Sequence, residues 1–154
     1  MKLIQATQSR LLFQLGYREE RLLLHILGLY PCVPPAHRQL SKGGRLPEPE
    51  ANQRLLDEAL AEHRADNKKQ LQALLADQRR FEHTETGARL SLSPAHVDWV
   101  LQVLNDIRVG SWIILGSPDE KRPELNERMA PDFAAMETAG YFEVQLLEAL
   151  RGET

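Results

Sequence analysis

The side chains whose types and spacing come closest to a reactive or binding set are Asn105, Asp106 and Arg108, set midway along an otherwise apolar stretch from Pro94 to Leu115. A carboxamide, a carboxylate and a guanidinium within four residues could hold a polar ligand, or they could tie one helix to another. On a helix, Asp106 and Arg108 are two apart and point to different faces, whereas Asn105 and Arg108, three apart, share one. Arg108 is therefore predicted to seek a carboxylate on a partner helix, such as Glu143 or Glu148. A buried pair of that kind specifies geometry more than it stabilises. The architectural reading leads, with a binding or catalytic role as the alternative.

Other constellations fall short of chemistry. Metal sites need clustered ligands, and none of His25, His37, His63, His83 and His96 stands four residues from another. Glu58 and Glu62 lie one turn apart beside His63 and Asp66, and Glu82, His83 and Glu85 could gather a cation on a loop. Neither set has a recognised ligand spacing. Cys32, the single cysteine, sits among prolines with no base before His37, which is not the setting of an activated thiolate. No G-x-S-x-G elbow and no phosphate-cradling glycine pattern is present. The basic residues His37, Arg38, Lys42 and Arg45, and the pair Arg79-Arg80, lack the aromatic interleaving of a nucleic-acid surface. Neither a catalytic residue, a metal nor a cofactor is expected, and the chain leans away from being an enzyme.

The elements that must carry these residues follow from periodicity. Leu3, Ile4 and Ala6, then Leu11, Phe13 and Leu15, read as a β-hairpin around Thr7-Gln8-Ser9. Tyr17 to Leu29 reads as a helix with Glu19 and Glu20 in its first turn. Leu22, Leu23, Ile26 and Leu27 make its inward stripe, and Pro31 ends it. Residues 31–49 form a Pro/Gly-rich loop. From Glu48 to about His83 the pattern predicts one long helix, straight or bent, because no Gly or Pro interrupts Glu50 to Thr86. Leu56, Leu60, His63, Asn67, Leu71, Leu74, Gln78 and Phe81 share its face. That face is a candidate seam for a homodimer, with His63 and Asn67 setting the register, or a stripe that packs within the chain.

Arg89 to Leu92 alternates like a strand, and Ser93-Pro94 signals a helix start. The helix to Leu115 turns Val97, Val100, Leu101, Leu104, Ile107 and Ile114 inward, with Gly116 as its stop. After a charged loop, Asp132 caps a last helix through Leu150 with Phe133, Met136, Tyr141, Val144, Leu147 and Leu150 as its apolar set. Shifting the sequence by 77 residues lays Phe13 on Leu90 and Leu22–Leu27 on Trp99–Leu104. That echo is either a duplicated strand–helix unit, whose two strands could pair, or the ordinary look of a strand entering an amphipathic helix.

The run Gly87-Ala88-Arg89-Leu90-Ser91-Leu92, then Trp99 and Leu104-Asn105-Asp106-Ile107-Arg108, resembles the signature of a bacterial domain family of unknown function. There a G-x-R-L-x-L strand leads into a helix bearing W…L-N-D-L-R. Phe13-Gln14-Leu15 with Glu20 and Leu22-Leu23 resembles that family's opening strand and helix. The final helix departs from the family's tryptophan-rich face. The family's genes often neighbour the adaptor of the Clp protease, and the resemblance implies a role near regulated proteolysis.

Composition sets the outer bounds. With 154 residues, 42% hydrophobic and 27% charged, the chain is expected to form a single helical domain over 1–154 without disulfide support. A net charge of −3 gives no general attraction to nucleic acid or anionic lipid. The opening residues turn polar too soon for a secretory leader, and no run approaches the roughly 20 apolar residues of a membrane span. The expected fold is mainly α, about four helices, one of them long, with a small antiparallel β element near Leu3, Phe13 and Leu90. The expected function is a cytoplasmic, non-enzymatic interaction or regulatory protein with a protein partner, Clp-related in the first instance, and no nucleic-acid or membrane partner. A small ligand-binding protein or enzyme with a pocket near Asn105, Asp106 and Arg108 is the alternative.

Overall fold

The computed structural model describes residues 1–31, 49–116 and 130–152. Cys32, His37 and the rest of the Pro/Gly-rich loop up to residue 48, and the charged loop from 117 to 129, lie outside the described residues. Two hairpins build one four-stranded antiparallel sheet. Strands β1 (Lys2–Ala6) and β2 (Leu11–Gly16) form the first; β3 (Phe81–Thr84) and β4 (Gly87–Leu92) form the second. The sheet order is β1-β2-β4-β3. Helices α1 (Tyr17–Gly28), α2 (Pro49–Ala76), α3 (Pro94–Ile114) and α4 (Ala130–Arg151) complete the described elements. Helix accounts for 68% of the described residues.

The sheet has one buried face because its strands alternate. Leu11, Phe13 and Leu15 of β2 stand opposite Leu92, Leu90 and Ala88 of β4, and all six are buried. The other face carries Gln14 opposite Arg89, both exposed. Phe13 pairs with Leu90, the residue onto which the 77-residue shift carries it. The two strands of the echo therefore pair at the centre of the sheet.

Helix α1 begins where Glu19 Oε1 accepts a hydrogen bond from the Gly16 N–H at 3.3 Å. Leu23, Ile26 and Leu27 are buried as expected, but Leu22 is exposed and Glu20 is buried in its place. The Glu20 carboxylate lies 2.5 Å from His83 Nδ1 of β3, so a carboxylate–imidazole contact, not a leucine, docks that edge of the helix.

The long helix stops earlier than its composition suggests. The expectation of helix to His83 is corrected: α2 ends at Ala76, and Phe81–Thr84 is a strand. Asp77 is the cause. Its Oδ1 accepts from the Arg79 N–H at 3.0 Å, while its backbone oxygen receives both Arg80 N and Phe81 N at 2.9 Å. A short acceptor side chain offers the backbone this alternative to a helix. The Arg79 backbone donor, helped by the Arg79 and Arg80 charges, holds the Asp77 carboxyl below its usual range. Phe81 is buried against the sheet rather than on a helix face.

Ser93 caps α3 as expected. Its Oγ accepts from the His96 N–H at 3.1 Å, and His96 Nδ1 accepts from the Ser93 N–H at 3.4 Å and from Arg80 Nη1 at 3.0 Å. The imidazole can accept only while that nitrogen is unprotonated. Desolvation, then the Arg80 charge, holds the His96 pKa below its ordinary 6.5. The folded chain thus binds fewer protons here than the unfolded one. Stability is full above pH 6.5 and declines as pH falls from there through the lowered folded value. Unfolding by urea at stepped pH should show this decline in the wild type and not in His96→Gln. His96→Ala should cost about 1 kcal/mol at neutral pH through its lost hydrogen bonds.

Helix α3 buries Val97, Val100, Leu104 and Ile107 as expected, with Val103 besides. Ile114 is exposed, contrary to expectation. The inward set expected for α4 is also corrected. Ala135, Ala139, Phe142, Leu146 and Ala149 are buried, whereas Tyr141, Val144, Leu147 and Leu150 are exposed. α4 is apolar around most of its circumference, so hydrophobicity alone does not orient it. The alanine side lets α4 lie close on α3, its most extensive contact. Tyr141 is drawn outward by its hydroxyl, which donates to Glu19 Oε2 at 2.9 Å. The core cavity among Leu23, Leu27, Leu74, Leu90, Val100 and Phe142 measures only about 10 Å³, room for a single water at most. No helix among the described residues is long and apolar enough to cross a membrane.

Candidate functional site

Asn67 is the pivot on which α2 is fixed. It is buried, with 5% exposure. Its Nδ2 donates to Tyr30 Oη at 3.2 Å and lies 3.3 Å from His63 Nε2, and its Oδ1 accepts from Trp99 Nε1 at 3.0 Å. One carboxamide thereby joins the end of α1, the middle of α2 and the first half of α3. Leu71 and Leu74, C-terminal to the pivot, are buried in the core.

N-terminal to the pivot the two helices part. From Glu50 to Asp66 no side chain is buried, and Leu55 is 64% exposed. The gap is an open hollow of about 280 Å³ lined by Leu60, His63 and Arg64 of α2 and by Gln102, Asn105 and Asp106 of α3. Each helix presents positions i, i+3 and i+4 to the other, the spacing that puts three side chains on one face. Leu56 and Val109 follow one turn further out on the same two faces.

Asn105 and Asp106 thus line the hollow with His63 and Leu60, while Arg108 turns to α4. Arg108 Nη2 donates to Asn105 Oδ1 at 3.0 Å, and Arg108 Nε lies 3.3 Å from Glu143 Oε1. The three polar residues do not converge on one space. The dimer seam anticipated along α2 is also divided. Asn67, Leu71, Leu74 and Phe81 are buried inside the chain, Leu56 and Leu60 are half-buried, and only His63 is exposed. The C-terminal half of that face is covered within the chain by the pivot and the sheet.

Gln102 and Arg64 are missed by the sequence reading, although Gln102, Asn105 and Asp106 already show the i, i+3, i+4 signal of a polar stripe. Trp99 belongs to the resembling motif, but its bond to Asn67 could not be anticipated without the fold.

Glu143 Oε1 is shut from water and, although 3.3 Å from Arg108 Nε, accepts no well-formed hydrogen bond among the described residues. Desolvation raises the Glu143 pKa above its ordinary 4.5, and the Arg108 charge offsets this only in part. The folded state holds its proton more tightly than the unfolded one. This contribution is full below pH 4.5 and is lost as pH rises through the raised folded value. Glu143→Gln should flatten that part of the stability–pH profile in urea denaturation and leave neutral-pH stability no lower than in the wild type.

Among the described residues, no group of three or more His, Cys, Asp or Glu side chains gathers in a metal-holding arrangement. Protein-family models, curated proteins and solved structures all show no match to this chain.

Proposed function

We propose that this chain is a non-enzymatic interaction or regulatory protein, acting beside regulated proteolysis, and that its working surface is the N-terminal half of α2 with the facing side of α3. The observation that carries this reading is that no residue of α2 from Glu50 to Asp66 is fully buried among the described residues, with Leu55 64% exposed. An isolated helix of that length is marginal in water, and a half-helix presenting Leu55, Leu56 and Leu60 gains most of its stability when something packs on it. The link to proteolysis rests on the resemblance carried by Gly87–Leu92, Trp99 and Leu104–Arg108. The pairing of Arg108 with Glu143 of α4, rather than with a space shared with Asp106, favours this reading over a small enzyme or ligand-binding protein.

The test uses the immobilised chain with purified Clp adaptor and Clp protease subunits, and with native lysate read by mass spectrometry. Wild type should retain a Clp component that the double variant Leu56→Ser/Leu60→Ser releases. A retained set identical for wild type and variant would overturn the proposal.

A further inference from the structure

On a face separate from the α2–α3 surface, we infer that the outward side of α4 is a seam for a second copy of this chain, the two α4 helices lying antiparallel. Tyr141, Val144, Leu147 and Leu150 stand 40–50% exposed within ten residues of this helix. Single apolar side chains on a surface are ordinary, whereas a contiguous strip marks an interaction site. The strip is also held in place. The Tyr141 hydroxyl donates to Glu19 Oε2 at 2.9 Å, so its ring cannot fold away from the edge of the strip.

Charge names the occupant. Glu137 lies seven residues before Val144 and Arg151 seven after, so the three share one line along the helix. All three are exposed, and neither charge has an ion-pair partner among the described residues. A two-fold axis at Val144 reverses one helix against the other and sets Glu137 of each copy against Arg151 of the other, at both ends. A parallel pair would stack glutamate on glutamate and arginine on arginine. The strip is therefore its own complement, as an isologous interface requires. The same operation lays Leu147 of one copy over Gly140 of the other. Glycine is disfavoured inside a helix, and nothing within the chain calls for it there, since a Cβ at Gly140 would meet only Arg108 Cδ at 3.9 Å. A leucine seated on it from outside supplies the reason. Arg108 itself is paired with Glu143, and Glu148 stands on the opposite flank, beside the second copy's Tyr141.

The experiment is sedimentation equilibrium of the full chain over a wide concentration range at physiological salt. A one-helix seam falls below the total area of about 1,200 Å² that stable specific interfaces bury, so the dimer should be weak, half-formed at roughly 10–100 μM. Val144→Lys should stay monomeric at about tenfold higher concentration. Its urea midpoint, measured in dilute solution, should match the wild type because the position is exposed. Glu137→Arg and Arg151→Glu each turn two attractive end contacts repulsive and should each weaken the dimer about tenfold. An equimolar mixture of those two variants should recover it, since the mixed pair meets opposite charges at both ends. A monomeric mass throughout would overturn the second copy as occupant, and α4 amide shifts with an added amphipathic Leu/Lys peptide would then give the face to a foreign helix. A dimer that Val144→Lys leaves intact would overturn α4 as the seam. A dimer indifferent to both charge variants, or lost in both and not recovered on mixing, would overturn the antiparallel arrangement.

Discussion

Replacing Gly87 with alanine is expected to leave little folded protein at 25 °C. Gly87 opens β4 opposite Gly16, with φ at +151°, a backbone conformation that side-chain-bearing residues rarely adopt. A Cβ built there would stand 2.0 Å from the Leu15 carbonyl oxygen and 2.7 Å from Gly16 C. Both neighbours are backbone atoms of the central strand β2, so no rotamer change can make room. Relief requires β2 and β4 to separate at the very ladder that joins the two hairpins. Dihedral strain alone costs about 1–3 kcal/mol, and the overlap adds to it. Against a total stability of about 5–15 kcal/mol, a loss above roughly 4 kcal/mol is the expected outcome, seen as a large fall in the urea midpoint or as insoluble expression. Gly28→Ala is the control: a Cβ there meets nothing within 4 Å, and it should stabilise slightly through helix propensity. A Gly87→Ala chain as stable as wild type would refute the close approach of the two strands.

The second large effect is expected from Asn67→Ala, at about 2 kcal/mol or more. The substitution strands the Trp99 indole N–H and removes one partner of Tyr30 Oη. Each buried donor or acceptor left unmet costs about 1–3 kcal/mol. The loss should be shared with the partner residue. Trp99→Phe deletes the same bond, so the double variant should fall short of the sum of the single ones. Strict additivity would show that the carboxamide and the indole do not bond. The same substitution should also free α2, raising amide exchange from Glu50 to Ala76 before it does so in α3 or α4.

Much of this architecture is legible along the chain because its signals are local. The β1–β2 hairpin follows from alternation, the start of α3 from Ser93-Pro94, and its end from Gly116, which adopts φ +88°. The pairing of Phe13 with Leu90 was present as an echo at 77 residues, although only the folded sheet turns that echo into a contact. What escaped were decisions between comparable alternatives. Residues 77–84 have good helix composition, yet Asp77 closes on its own backbone and β4 offers Phe81–Thr84 a ladder. α4 could have buried Tyr141, Val144, Leu147 and Leu150. It buries Ala135, Ala139, Phe142, Leu146 and Ala149 instead, a choice that an all-round apolar helix leaves to tertiary packing.

The candidate site divides in the same way. Local periodicity settles that Asn105 and Asp106 ride on an amphipathic helix and that His63 lies one turn from Asn67. That these groups face one another across an open groove, while Arg108 is spent on Glu143, depends on where α2 crosses α3. The crossing is set by a single buried carboxamide bonded to residues 32 and 37 positions away. Sequence neighbours determine helix, strand and cap through backbone geometry. The meeting of distant faces is determined only when the whole core closes, because its energy is summed over contacts that no short stretch of chain contains.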